Sequence, residues 1–381
     1  MDVHHLLAAM VERGASDLYL TTDSPPMLRV EGFTEAVGSE PLTAGEVEAV
    51  AMSLMSERQQ AVFEQQLEMN LAMASESLGR FRINVFRQRG AVGLVMRQIK
   101  TRIPTLDELG LPAVLKTIAL SRRGLVLVTG ATGSGKSSTQ AAMLDYRNAT
   151  TAGHILTVED PIEFVHSHKK CIVNQREVGF DTLSFGEALK NMLRQAPDVI
   201  LIGEVRDLET MEAAITFAET GHLCLATLHS NNANQAIERM MNFFPPSRHT
   251  EIFLQLSLNL RGIISQRLVP GTDGKRVAAL EVLIDTPWIR ELIKKGEIDT
   301  LKEAMEQSTQ EGAQTFDQAL YALFAEGRIT LEQALANADS ANNLRIRIQN
   351  LELSRQKAAP ARAPENFRIE GIGPTPQLRR R

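Results

Sequence analysis

The residues with the clearest chemical content are Gly130, Ala131, Thr132, Gly133, Ser134, Gly135, Lys136 and Ser137, with Ser138 directly after. They fit the phosphate-binding P-loop pattern G-x-x-x-x-G-K-[ST] without departure. An apolar run at 125–129 precedes them and a helix-like stretch at 138–146 follows, which is the context the motif requires. The glycines let backbone N–H groups close on phosphate oxygens, and the start of a helix adds partial positive charge. Lys136 supplies a full charge for the β- and γ-phosphates, and Ser137 offers its hydroxyl to Mg²⁺. The ligands expected are therefore ATP and Mg²⁺.

Three further groups follow the same logic. Asp198, Val199, Ile200, Leu201, Ile202, Gly203 and Glu204 read as an apolar strand delivering a carboxylate at its end, in the manner of a Walker B element. Glu204 is the candidate for holding the metal or its water. In Glu159-Asp160-Pro161-Ile162-Glu163, three carboxylates follow the apolar run 155–158. Like charges this close are unfavourable unless a cation or proton compensates them. Magnesium nucleotide would compensate them, and a carboxylate within reach of a water would serve as general base. His222 and His229 bracket the apolar run 223–228. Seven residues at ~3.3 Å each set them about 23 Å apart, so both cannot touch one phosphate. Ligands of open α/β sheets sit off the C-terminal strand ends. His229 is thus expected to sense phosphate, and His222 to serve structure or a subunit contact. The P-loop, Glu159, Glu204 and His229 each follow an apolar strand, and a parallel sheet would gather them in one crevice.

The elements that must carry these groups divide the chain of 381 residues into regions. Residues 1–99 read as a small α+β domain. It has a helix at 4–13, strands at 17–22 and 27–31, and a helix opened by Thr43 and Glu46 that runs past Glu57. Phe81, Ile83 and Val85 then alternate with Arg80, Arg82 and Asn84, and a strand at 92–99 follows. Residues 100–112, with Pro104, Gly110 and Pro112, read as a linker. Residues 113–286 alternate short apolar runs with helical stretches, the texture of an α/β domain on a buried parallel sheet. Residues 287–353 turn helical, with capping patterns at Thr300/Glu303, Thr315/Gln318 and Thr330/Gln333. The tail 354–381 is rich in Pro and Ala and ends in Arg379, Arg380 and Arg381. It is too poor in apolar residues to order, so disorder is expected there. The net charge of −5 gives no excess of cations for a nucleic-acid backbone, which argues against a translocase of DNA or RNA. Only Cys171 and Cys224 are present, too few for a disulfide framework or a four-cysteine zinc module. No apolar run nears the ~20 residues of a membrane span, and a cytoplasmic location is the expectation.

The motif set, in this order and spacing, resembles the secretion ATPase family, whose members power type II secretion and type IV pili. Over roughly 14–336 it is most similar to pilus retraction ATPases of the PilT/PilU type. Ala131, the pair Ser137-Ser138 in place of Ser-Thr, Trp288 to Ile293 in place of Ala-Ile-Arg-Asn-Leu-Ile, and the basic tail resemble the PilU side of that type. The resemblance implies a RecA-like core, a PAS-like N-terminal domain and a homo-hexameric ring with nucleotide between subunits. It also implies a catalytic Glu163, a Walker B Glu204, and arginines of the N-terminal domain, here Arg82 and Arg97, reaching the phosphates. Such an arginine stabilises transferring phosphate charge by ~10³–10⁵ in rate. The implied partners are a PilT-like paralogue and an inner-membrane pilus platform protein, with no nucleic acid. The implied role is ATP-driven pilus retraction and twitching motility. A nucleotide-binding scaffold for a catalytic paralogue, and a secretion or pilus-extension ATPase, are the alternatives.

Overall fold

The computed structural model describes residues 3–30, 32–75, 77–99 and 102–358. Of the tail 354–381 expected to be disordered, residues 354–358 instead continue the last helix, which starts at Ala341, and the rest lie outside the described residues, as do Lys100 and Thr101 of the expected linker.

Chain order begins with α1 (Val3–Glu12), β1 (Asp17–Leu20), β2 (Met27–Val30), β3 (Phe33–Ala36), α2 (Ala44–Leu54) and α3 (Glu57–Gln66). β4 (Glu68–Ser75), β5 (Gly79–Gln88) and β6 (Ala91–Ile99) complete an antiparallel sheet of order β3-β2-β1-β6-β5-β4. The alternation in β5 does what the pattern asks: Phe81, Ile83 and Val85 are buried with Leu7, Val47 and Phe63. Arg80, Arg82 and Asn84 face away. One expectation fails. The helix opened by Thr43 does not pass Glu57; it stops at Met55, whose backbone is extended, and Ser56 starts a second helix. The Ser56 N–H donates to Gln59 Oε1 at 2.9 Å, a local cap that outcompetes helix continuation. Thr43 and Glu46 do form the reciprocal cap expected of them.

The second body runs through α4 (Val114–Ala119), β7 (Gly124–Thr129), α5 (Lys136–Thr150), β8 (Gly153–Glu159), β9 (Cys171–Glu177) and α6 (Phe185–Met192). It continues through β10 (Val199–Ile202), α7 (Leu208–Glu219), β11 (Leu223–Leu228), α8 (Ala233–Asn242), α9 (His249–Asn259), β12 (Leu260–Pro270) and β13 (Arg276–Ile284). The sheet order is β13-β12-β7-β11-β10-β8-β9; every pairing is parallel except the edge hairpin β12–β13. Leu125 and Leu127 of β7 pack into one buried cluster and Val126 and Val128 into another. Alternate side chains thus feed cores on both faces, which is why the strand reads as an unbroken apolar run. Each such Val or Leu contributes roughly 1.5–3 kcal/mol by leaving water.

α10 (Pro287–Lys295), α11 (Leu301–Gln307), α12 (Phe316–Ala325), α13 (Leu331–Ala336) and α14 (Ala341–Ala358) follow. Ile289, Leu292 and Leu301 join the same buried cluster as Leu125, while Leu320, Leu323 and Leu344 pack on Val269 and Val277 of the β12–β13 hairpin. Thr315 caps α12 with Gln318, and Thr330 accepts from the Gln333 N–H. Thr300 does not cap as expected. Its backbone is helical, ending a 3₁₀ turn, and its hydroxyl donates to Glu297 O instead. The stretch after residue 101 is not loose either: Leu106 and Leu111 are buried in the cluster containing Leu115 and Val126.

Phe81 is fully buried on β5 of the N-terminal sheet. Phe81→Ala is expected to cost that sheet about 3–5 kcal/mol, read as an earlier urea transition than wild type. An unchanged transition would mean the face is not a packed core.

Candidate active site

Residues 130–135 carry the chain from the tip of β7 into α5. Gly130 and Gly135 take positive φ, and β12 lies hard against both. A Cβ at Gly130 would sit 2.5 Å from Gln266 O, and one at Gly135 2.7 Å from Gln266 Nε2. Gly130 meets backbone and has no room for a side chain, while Gly135 is held to glycine by its φ of +89°, the nearby Gln266 amide being movable. Lys136 Nζ donates to Gly130 O at 2.8 Å and Ala131 O at 2.9 Å. Burial lowers its pKa, with Glu204 and Glu163 pulling the other way. Ser134 Oγ and Thr129 Oγ1 are buried with no hydrogen-bond partner among the described residues. Unsatisfied polar atoms at a helix N-terminus suit a ligand rich in acceptors.

The loop opens on a cavity of about 680 Å³ lined by Lys136, Ser137, Ser138, Glu159, Glu163, Glu204 and His229 among others. Glu159 ends β8, Glu204 lies just beyond β10, and His229 follows β11. The parallel sheet brings their strand tips side by side. Glu204 accepts from Arg206 at 2.8 Å and contacts His229 Nε2 at 3.1 Å. Burial raises the pKa of Glu204, but Arg206, His229 and Lys136 outweigh it and hold the carboxyl below its ordinary range. Arg206 also lies 3.6 Å from Asp160. Glu159 behaves differently. Burial pushes its pKa up to about 7; Thr157 and Gln175, which donate to it at 2.6 and 3.2 Å, oppose this, and Glu163 and Glu177 reinforce it. Glu163 is exposed on the cavity wall, between buried Ile162 and Phe164.

Other candidates lie elsewhere. His222 sits at the opposite end of β11, with Nδ1 3.2 Å from Phe217 O and 3.1 Å from Thr220 Oγ1. Arg82 and Arg97 face each other across β5 and β6 and do not line the cavity. Arg97 is bound at 2.8 Å to the buried Asp17 of its own sheet. Arg82 and Arg80 lie near enough to Glu177 to offset the burial that raises that carboxyl.

Sequence reasoning missed several wall residues. Arg206 clamps Glu204 from two positions along the chain, a spacing visible in Gly203-Glu204-Val205-Arg206. Gln140 and His166, both buried, also line the cavity; Gln140 Nε2 and His166 Nδ1 are without protein partners among the described residues. Burial pushes the pKa of His166 down to about 4. Only the return of 161–166 alongside β9 brings His166 there, whereas Gln140 lies one helical turn past Lys136 on α5, a spacing the sequence does display. Among the described residues no cluster of three or more His, Cys, Asp or Glu could hold a metal alone. The donors present, the Ser137 hydroxyl and the Glu204 carboxylate, fit a magnesium ion that keeps waters and shares a nucleotide's phosphates. No helix among the described residues is long and apolar enough to cross a membrane.

Residues 2–370 match the family described as "Type II/IV secretion system protein". The chain is 55% identical to the type IV pilus ATPase PilU of Pseudomonas aeruginosa over 350 residues, covering 92% of each. It is 46% identical to the PilT retraction ATPase of the same organism, covering 90% of this chain and 100% of that one. The crystal structure of the pilus retraction motor PilT with bound ADP superposes with a TM-score of 0.85 at 42% identity, over 90% of this chain and 98% of that one. The α/β reading holds: the architecture is that of these ATPases, an N-terminal domain followed by a RecA-like core.

Glu159 yields a pH test. Its folded pKa, about 7, stands above the ordinary carboxylate value of 4.5. Its stabilising contribution is therefore complete below about pH 4.5 and lost as pH rises through about 7. The melting temperature of the protein without nucleotide is expected to fall between about pH 5 and 8, and Glu159→Gln to flatten that fall. An identical slope in the variant would show that Glu159 does not titrate there.

Proposed function

The chain belongs to the type II/IV secretion system protein family, and on that footing we propose that it is a P-loop ATPase that drives type IV pilus retraction and twitching motility. One observation carries the reading: the P-loop, two acidic elements and His229 converge on one cavity in a chain similar over about nine-tenths of its length to pilus ATPases.

The chemistry then runs through this chain's own groups. Lys136 and the N–H groups of 130–135 bind the β- and γ-phosphates. Glu163 orients a water and takes its proton as the water oxygen bonds to the γ-phosphorus. The bond from that phosphorus to the β,γ-bridging oxygen breaks, and ADP and phosphate leave. The Ser137 hydroxyl and the Glu204 carboxylate would hold Mg²⁺, which would supply charge neutralisation on the phosphates. His229, in contact with Glu204, reports the loss of phosphate. Arg82 and Arg97 act on the phosphates of a neighbouring copy in a homo-hexameric ring; their distance from this chain's own cavity supports that reading. Domain rotation follows phosphate release. Its pivot lies ahead of Leu106, because Leu106 and Leu111 are held in the ATPase core. The ring works on the cytoplasmic face of the inner membrane, against a pilus platform protein and beside a PilT-like paralogue.

A second reading, in which the chain binds ATP chiefly to assemble with a catalytic PilT-like partner, uses the same nucleotide cavity. Phosphate release by the purified protein, with and without that partner, separates the two. Glu163→Gln is expected to keep ATP affinity while turnover drops by about 10²–10⁴-fold, the usual worth of a general base. Lys136→Ala is expected to lose nucleotide binding. Undiminished turnover in the first variant, or full affinity in the second, would overturn the assignment.

A further inference from the structure

The segment that carries Glu163 belongs to no named strand or helix among the described residues, and side chains of β9 hold its backbone. β9 presents Gln175 and Glu177 on the same face, since alternate side chains of a strand point the same way. Gln175 Oε1 accepts the His166 N–H at 2.8 Å, and its Nε2 donates to Phe164 O at 2.9 Å. One amide therefore satisfies a backbone donor and a backbone acceptor two residues apart, as a neighbouring strand would. Glu177, almost fully buried, accepts the Ile162 N–H at 3.4 Å. Residues 162, 164 and 166 are thus gripped in reverse order by 177 and 175, a side-chain substitute for an antiparallel ladder.

Two consequences follow from the alternation. Ile162 and Phe164 turn into the protein and are buried. Glu163, between them, is turned out onto the cavity wall. The same Gln175 amide also donates to Glu159 Oε1 at 3.2 Å, so one side chain ties both acidic positions of the box to β9. Among the described residues, no named helix or strand covers 161–166.

We propose that Gln175, supported by Glu177, is a positioning residue for ATP hydrolysis: its amide holds the backbone on the far side of Glu163 and so aims that carboxylate at the attacking water. The inference rests on Glu163 being the base, as read above. A displacement of about 1 Å in such a group costs up to about 10²-fold in rate.

The test is steady-state phosphate release from MgATP by the full chain, with binding of a fluorescent ATP analogue measured alongside. Gln175→Ala is expected to lower kcat by about 10–10²-fold and to leave the analogue's Kd within about threefold of wild type. In a Glu163→Gln background the same change is expected to lower kcat little further, because the group it positions is already gone. A general structural loss would lower kcat by the same factor in both backgrounds, and that result overturns the proposal. So does an unchanged kcat in Gln175→Ala while Glu163→Gln is slow. If Glu163→Gln alone turns over normally, the base assignment fails and this inference with it.

Gln175→Glu is nearly isosteric and covers the case in which the alanine variant does not fold. Protonated, the new carboxyl donates to Phe164 O as the amide does; ionised, it cannot. Its kcat relative to wild type is expected to rise as pH falls, and a flat ratio overturns the proposal.

Discussion

Charge compensation around Glu204 is the constraint on which the rest of the site depends. A carboxylate at the edge of a buried sheet is unfavourable unless cations or donors meet it. Arg206 and His229 meet it directly, and Lys136 adds its field from the P-loop. Asp160 shares Arg206. Anions and cations are therefore interleaved along one cavity wall, and a nucleotide carrying several negative charges must enter this pattern and redistribute it. Lys136, held by the carbonyls of Gly130 and Ala131, can exchange those acceptors for phosphate oxygens without leaving the loop.

That interleaving is possible because the sheet is buried on both faces. With β7, β8, β10 and β11 packed on two apolar layers, their polar groups gather at the strand ends, and the C-terminal tips carry those of the cavity. β12 adds a steric condition, since the Gln266 carbonyl approaches Gly130 so closely that the loop admits no Cβ there. The two acids following β8 and β10 are kept distinct by environment. Glu204 is surrounded by cations and stays ionised. Glu159, desolvated and beside Glu163 and Glu177, has a pKa near 7.

The N-terminal sheet contributes nothing to the cavity of its own chain. Arg97 is committed to the buried Asp17, while Arg82 lies within electrostatic range of Glu177, below the acidic box. Glu177 in turn holds the Ile162 backbone. The contacts of β9 thus lie between the N-terminal sheet and the segment bearing Glu163, which gives domain position a physical route to the reacting groups.

The sequence by itself determined the elements whose signals are local. The P-loop glycines, the apolar runs of β7, β8, β10 and β11, the alternation in β5 and the reciprocal caps at Thr43 and Thr315 need only neighbours along the chain to be read. Where two local signals competed, reading failed: Ser56 with Gln59 restarts a helix that the apolar pattern alone would continue, and Thr300 turns its hydroxyl back to Glu297 although it has the residue type of a cap. Tertiary structure alone decided what meets at the cavity from separate strands. Gln266 against the glycines, His166 on the wall, and Gln175 behind Glu163 belong to residues of ordinary type at no special spacing. Their roles arise from strand order and from the return of 161–166 alongside β9, which no periodicity in the chain encodes.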